Sequence, residues 1–190
     1  MEKEIRKINS DFTTSSDRTV MGYGAVFNSY SVDMGFIEII HPSAITEETI
    51  KRSDIFCKLN HNDDKILARS KYGEGSLLLS VDERGLSYCF ESPNTALGDE
   101  LLEYLKRGDI SGSSFAFTVS KEEGSEKWSK RSDGKIYREI FAIDRLYDVS
   151  PVFQCAYEAT TCSTRFAEIQ ATIAEVEGIM NIYKEEIDKL

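Results

Sequence analysis

Histidine is scarce in this 190-residue chain, which has only His41 and His61. Any reaction that needs an imidazole as base must use one of these two, and a zinc site built on clustered histidines has no support. Four cysteines (Cys57, Cys89, Cys155 and Cys162) contain no Cys-x-x-Cys pair. The expectation is therefore no metal and no cofactor. Cys57 and Cys89 lie in apolar strand patterns and read as buried thiols of a reducing compartment. Cations are also short, with Lys+Arg 23 against Asp+Glu 33 and a net charge of -10. That balance argues against sequence-independent nucleic-acid binding, which depends on cations neutralising phosphates, and against an anionic membrane surface. No apolar run approaches the roughly 20 residues of a membrane span. The first residues, Met1-Glu2-Lys3-Glu4-Ile5-Arg6-Lys7, carry no apolar signal-peptide core. The expectation is a protein that stays in the cytoplasm where it is made.

What is present is an ordinary globular composition, 41% hydrophobic and 29% charged, enough for one domain with a core and an appendage. Residues 1–18 are polar and read as a loose arm or an edge strand. Strand patterns follow over Thr19–Phe27, Phe36–Ile40, Ile55–Leu59, Ile66–Ser70, Ser76–Val81 and Leu86–Ser92. Gly22 and Gly24 mark a bulge or a close backbone approach in the first of these. Pro42 opens a helical turn, with Ser43 or Thr46 as its cap. Leu97, Leu101 and Leu105 sit four apart and predict a helix over 95–107 capped by Gly108. Strands over Ser114–Ser120, Ile136–Ile143 and Leu146–Phe153 complete the domain, with a charged hairpin loop over 121–134. By pattern this is an α+β domain, mostly antiparallel β, closed or nearly closed into a barrel.

The sequence is organised around Gly108-Asp109-Ile110-Ser111-Gly112-Ser113-Ser114-Phe115-Ala116-Phe117. A capped helix and a turn lead into two serines at the mouth of an aromatic strand. A serine hydroxyl becomes a nucleophile only beside a base that a third group orients. Successive strand residues face opposite sides, so at most one of Ser113 and Ser114 can meet a given histidine. Ser111 reads as a turn residue. His61, in Leu59-Asn60-His61-Asn62, follows a strand. His41, before Pro42, reads as structural. Asp148 is an orienter at the end of a later strand, and Asp144, an even number of residues away, shares its face. Arg138 can assist an oxyanion or be a solvated strand arginine.

Several stretches together resemble the prohead proteases of tailed bacteriophages, capsid-maturation serine proteases of the HK97 type. They are Gly22-Tyr23-Gly24-Ala25-Val26-Phe27-Asn28, Glu38-Ile39-Ile40-His41-Pro42-Ser43-Ala44, Leu59-Asn60-His61-Asn62, Asp82-Glu83-Arg84-Gly85-Leu86, Lys106 through Phe117, and Leu146-Tyr147-Asp148-Val149-Ser150-Pro151-Val152 followed by Ala156-Tyr157. The ordered set covers roughly residues 20–160. The resemblance implies a β-barrel related to the herpesvirus assembly proteases. It places the nucleophile at Ser114, directly before the Phe-x-Phe strand, the base at His61 and the third member at Asp148. It implies cleavage of the major capsid protein and the scaffolding protein inside the procapsid, in the host cytoplasm, and finally of the protease itself. A homodimer or higher self-association is expected.

Beyond the domain expected over 19–162, the segment 163–190 carries Phe166, Ile169, Ile173, Val176, Met180, Tyr183, Ile187 and Leu190 at alternating spacings of 3 and 4. It reads as an amphipathic helix packed on its own barrel or as a coiled-coil arm, with Gly178 weakening it by about 1 kcal/mol relative to Ala. Two other functions fit parts of the sequence: a non-catalytic capsid- or scaffold-binding assembly protein, and a cysteine hydrolase pairing Cys57 or Cys155 with His61.

Overall fold

The computed structural model describes residues 3–9, 12–14, 18–31 and 33–153. The heptad segment, Cys155 and Cys162 lie outside the described residues. In the polar N-terminal stretch, Glu-Ile-Arg-Lys-Ile-Asn forms the edge strand β1 (Glu4–Asn9), followed by the short β2 (Thr13–Thr14). The alternating run Thr19–Val26 is β3, and Ile37–Ile40 is β4. Both glycines of β3 behave as their positions suggest. The register slips between Tyr23 and Ala25, and a Cβ on Gly24 would stand 2.7 Å from Val149 Cγ1.

After β4, Pro42 begins a single 3-10 turn, and Thr46 caps α1 (Glu47–Lys51). Thr46 and Thr49 exchange side-chain and backbone hydrogen bonds in a capping box. There follow β5 (Asp54–Lys58), β6 (Ile66–Lys71), β7 (Glu74–Gly75), β8 (Leu77–Val81) and β9 (Gly85–Glu91). The leucine stripe becomes α2 (Ala96–Arg107). Thr95 accepts the Gly98 N–H at its start, Gly108 closes it at φ 77, and Leu101 is fully buried. The chain ends its described part with β10 (Gly112–Val119), β11 (Glu126–Lys130), β12 (Ile136–Ile140) and β13 (Ile143–Val152).

These strands form three sheets, in the orders β1-β10-β13-β5-β6-β7, β2-β3-β9-β8 and β11-β12-β4. Among the described residues no ladder closes on itself, so the closed barrel expected from the pattern is not found. Each sheet instead ends on edge strands. Nor is the pairing wholly antiparallel: β13 runs parallel to β5, and β12 parallel to β4. Long crossovers make both parallel pairs possible, and alternation within one strand carries no record of its partner's direction.

The expected loop over 121–134 contains β11, which pairs antiparallel with β12. Its residues are largely exposed, so no buried alternation marks it. Cross-strand pairing, the Arg138 guanidinium 5.1 Å over Trp128, and Phe36 edge-on to the same indole hold it in place.

The core lies between the first two sheets. Phe115 and Phe117 stack at 4.8 Å, with Tyr88, Phe90, Leu86, Ile55 and Val149 buried around them. Every residue of β10 except Val119 is buried. That strand therefore supplies a rigid floor for any side chain it presents. At the start of α2, a Cβ on Gly98 would meet the Pro93 carbonyl oxygen at 1.9 Å. Gly→Ala inside a helix normally gains about 1 kcal/mol. Here Gly98→Ala is expected to destabilise by roughly 1–3 kcal/mol through overpacking, read as a lower urea midpoint. An unchanged or raised midpoint would contradict the contact.

Candidate active site

Three strands adjacent in one sheet bring the predicted residues together. β10 carries Ser114, its neighbour β13 carries Asp148, and β5 leads into the turn that carries His61. That turn is a 3-10 segment in which Asn60 (φ 54, ψ 40) and His61 (φ 59) both take left-handed backbone. Two successive non-glycine residues in this region cost of order 1–3 kcal/mol each. The Asn62 N–H donates to the Leu59 carbonyl at 3.1 Å, and the Leu59 N–H donates to the Lys65 carbonyl at 3.0 Å. These bonds hold the strained turn, which swings the His61 ring back over the sheet.

His61 Nε2 lies 2.5 Å from Ser114 Oγ, and His61 Nδ1 lies 2.6 Å from Asp148 Oδ1. Ser113 faces the other way, its hydroxyl 2.8 Å from the buried Tyr88 hydroxyl. Of the two serines, only Ser114 meets His61, and of the two aspartates, Asp148 rather than Asp144 does so. Ser111 is exposed ahead of β10. His41 is engaged elsewhere, stacked on Phe141 at 4.2 Å with Nε2 3.5 Å from Glu139 Oε1. Cys57 is fully buried one strand away, where burial and then the Asp148 charge push its thiol well up. A thiol so placed is a poor nucleophile. Among the described residues no cluster of three or more His, Cys, Asp or Glu could hold a metal ion.

Asp148 is 1% exposed and has more partners than the sequence suggested. Ser150 donates to Oδ1 at 3.0 Å, the Lys3 ammonium lies 3.2 Å from Oδ2, and the Lys58 ammonium lies 3.8 Å from it. Burial acts to raise this carboxyl. The His61 hydrogen bond and charge, then Lys3 and Ser150, outweigh it and hold the group below the usual carboxylate range. Ser150 was legible in principle, since residues two apart on a strand share a face. Lys3 was not, because nothing local places residue 3 beside residue 148.

Arg138 departs from the solvated arginine considered above. It is 6% exposed and is ion-paired to Glu4, Glu38 and Glu126, which raise it further although burial opposes them. The cluster joins β1, β4, β11 and β12.

A serine, histidine and aspartate at these distances can perform nucleophilic acyl transfer. The family model described as Caudovirus prohead serine protease matches residues 3–175. The chain belongs to this family. No curated protein and no solved structure matches it. The family is one of serine peptidases of phage capsid maturation, and the match spans all three residues.

Ionised Asp148 is better stabilised in the folded chain than in the unfolded one, where its pKa is about 3.9. Its contribution is complete above that value and is lost as pH falls through the lower folded value. The stability difference between wild type and Asp148→Asn is therefore expected to be largest above about pH 5 and to shrink in acid. Urea unfolding of both proteins across pH 2–7 reads it directly. A difference independent of pH would contradict the ionised, paired carboxylate.

Proposed function

We propose that the chain is a serine endopeptidase of procapsid maturation, with Ser114 as nucleophile, His61 as general base and acid, and Asp148 as the group that orients His61. The observation that carries this reading is the unbroken chain from Ser114 Oγ through His61 to Asp148, at 2.5 and 2.6 Å, within a member of this family.

Ser114 Oγ attacks the scissile carbonyl carbon while His61 Nε2 takes the hydroxyl proton. The tetrahedral intermediate collapses as His61 returns that proton to the leaving amine, and the carbonyl carbon remains esterified to Ser114. Water, deprotonated by His61, then attacks the ester and releases the new carboxylate, restoring the serine. Asp148 accepts the Nδ1 hydrogen throughout. It fixes the tautomer with Nε2 free to accept, and it stabilises the imidazolium. Ser150 and Lys3 keep the carboxylate in place.

The substrates consistent with this family are the scaffolding region of the major capsid protein, the scaffolding protein and the protease itself, cut inside the procapsid in the host cell. The cysteine-hydrolase alternative loses its support at Cys57, which lies buried with a raised thiol.

Intact mass of the capsid protein after co-expression tests the assignment. Wild type is expected to give discrete fragments, and Ser114→Ala and His61→Ala each to slow their appearance by roughly 10^4-fold or more. Asp148→Asn is expected to fall by about 10^3–10^4-fold. If Ser114→Ala and His61→Ala both cut like wild type, the assigned site is wrong. If wild type leaves the capsid protein whole, the assembly-protein reading replaces this one.

A further inference from the structure

Ser114 has a second hydrogen-bond partner, one that the reaction does not use. Its hydroxyl donates to the backbone carbonyl of Arg6 at 2.7 Å. Arg6 lies in β1, the edge strand paired antiparallel to β10, where Lys7 stands opposite Ser114 and Arg6 opposite Phe115. Ser114 is 0% exposed, and with β1 paired along β10 no other strand can pair on that edge beside it.

The side chains of β1 divide as those of a bound peptide would. Lys7 shares the face of Ser114, whereas Arg6 and Glu4 share the opposite face with Phe115 and Phe117. Arg6 makes a two-pronged pair with the buried Glu38, Nε to Oε1 at 2.6 Å and Nη2 to Oε2 at 2.8 Å. Its guanidinium lies 5.6 Å from the Phe117 ring centroid and 6.0 Å from that of Phe36. Two residues earlier, Glu4 meets Arg138 Nη2 at 2.9 Å.

We propose that β1 is a pseudosubstrate. Resting on the serine-protease reading, it occupies the groove along β10 where a substrate strand docks, and the Arg6 pocket closed by Glu38 takes a basic side chain immediately before the scissile bond. Two observations explain why β1 is held rather than cut. The hydroxyl points at the Arg6 carbonyl oxygen, and attack requires the carbon. A hydroxyl also has one hydrogen. While Arg6 takes it, His61 Nε2 can approach Ser114 Oγ only as a donor, and a protonated Nε2 is no base. Substrate gains access when β1, an edge strand, peels away by local opening.

Labelling of Ser114 in the full chain by a small alkyl fluorophosphonate, mapped by mass spectrometry, tests this. Arg6→Ala, which removes the clamp, and Ile8→Pro, which keeps the clamp but removes the N–H two residues along on the same, β10-facing side of β1 as the Arg6 carbonyl, are each expected to label about ten-fold or more faster than wild type. Acceleration in either one supports the proposal, and unfolding cannot produce it because an unfolded serine is unactivated. In whichever chain labels faster, added peptide Lys-Glu-Ile-Arg-Lys-Ile-Asn, the sequence of residues 3–9, should protect Ser114, while its analogue with alanine for arginine should not. Equal labelling of all three chains overturns the occlusion and leaves the serine-protease reading standing. Equal protection by both peptides overturns the basic pocket. No labelling at Ser114 in any chain removes the nucleophile itself, and the proposal with it.

Discussion

The site depends on one short contact between strands, the parallel pairing of β13 with β5 at Asp148–Phe56 and Val149–Cys57. β10 and β13 pair through an antiparallel ladder that aligns Ser114 with Ser150 and leaves Asp148 on the same face. That alone gives a hydroxyl and a carboxylate without a base between them. By laying β5 on the far side of β13, the parallel pair delivers the turn after β5 to the correct level for an imidazole to bridge the gap. The strained backbone at Asn60 and His61 then folds the ring inward.

Charge is handled differently on the two faces of β10. On the face that carries Ser114 one carboxylate, Asp148, is shared among His61, Ser150 and Lys3, with Lys58 close by. Burial alone would neutralise it, and these partners keep it ionised. On the other face Arg6 and Arg138 are ringed by Glu4, Glu38 and Glu126, of which Glu38 is buried, so each buried charge there has a partner of opposite sign. The acidic balance seen in the sequence therefore describes the outer surface better than the interior.

Local features proved readable wherever local chemistry decides the outcome. The four-residue leucine spacing, Thr95 and Gly108 mark α2 because helix period and caps are properties of nearby residues. The bulge at Gly24 shows because only glycine tolerates Val149 at that distance. That Ser114, His61 and Asp148 come together was anticipated because only two histidines were available and because the family resemblance singled out Ser114 and Asp148 from their neighbours. Strand direction, sheet closure and the roles of β1 and β11 were hidden. β11 is held by its pairing with β12 and by contacts at Trp128 rather than by a buried face of its own, and Lys3 and Arg138 find carboxylates more than a hundred residues away.

The order of strands in the central sheet has a consequence for synthesis on the ribosome. His61, Ser114 and Asp148 come from segments widely separated along the chain, and the sheet joins β1, near one end of the described chain, to β10 and β13, near the other. Contacts of such long range form only after the loops between them have closed. A nascent chain that has not yet extruded β13 has its serine and its histidine but no carboxylate to align them. The serine–histidine–aspartate arrangement is thus completed only late in translation, after nearly all of the described fold has left the exit tunnel.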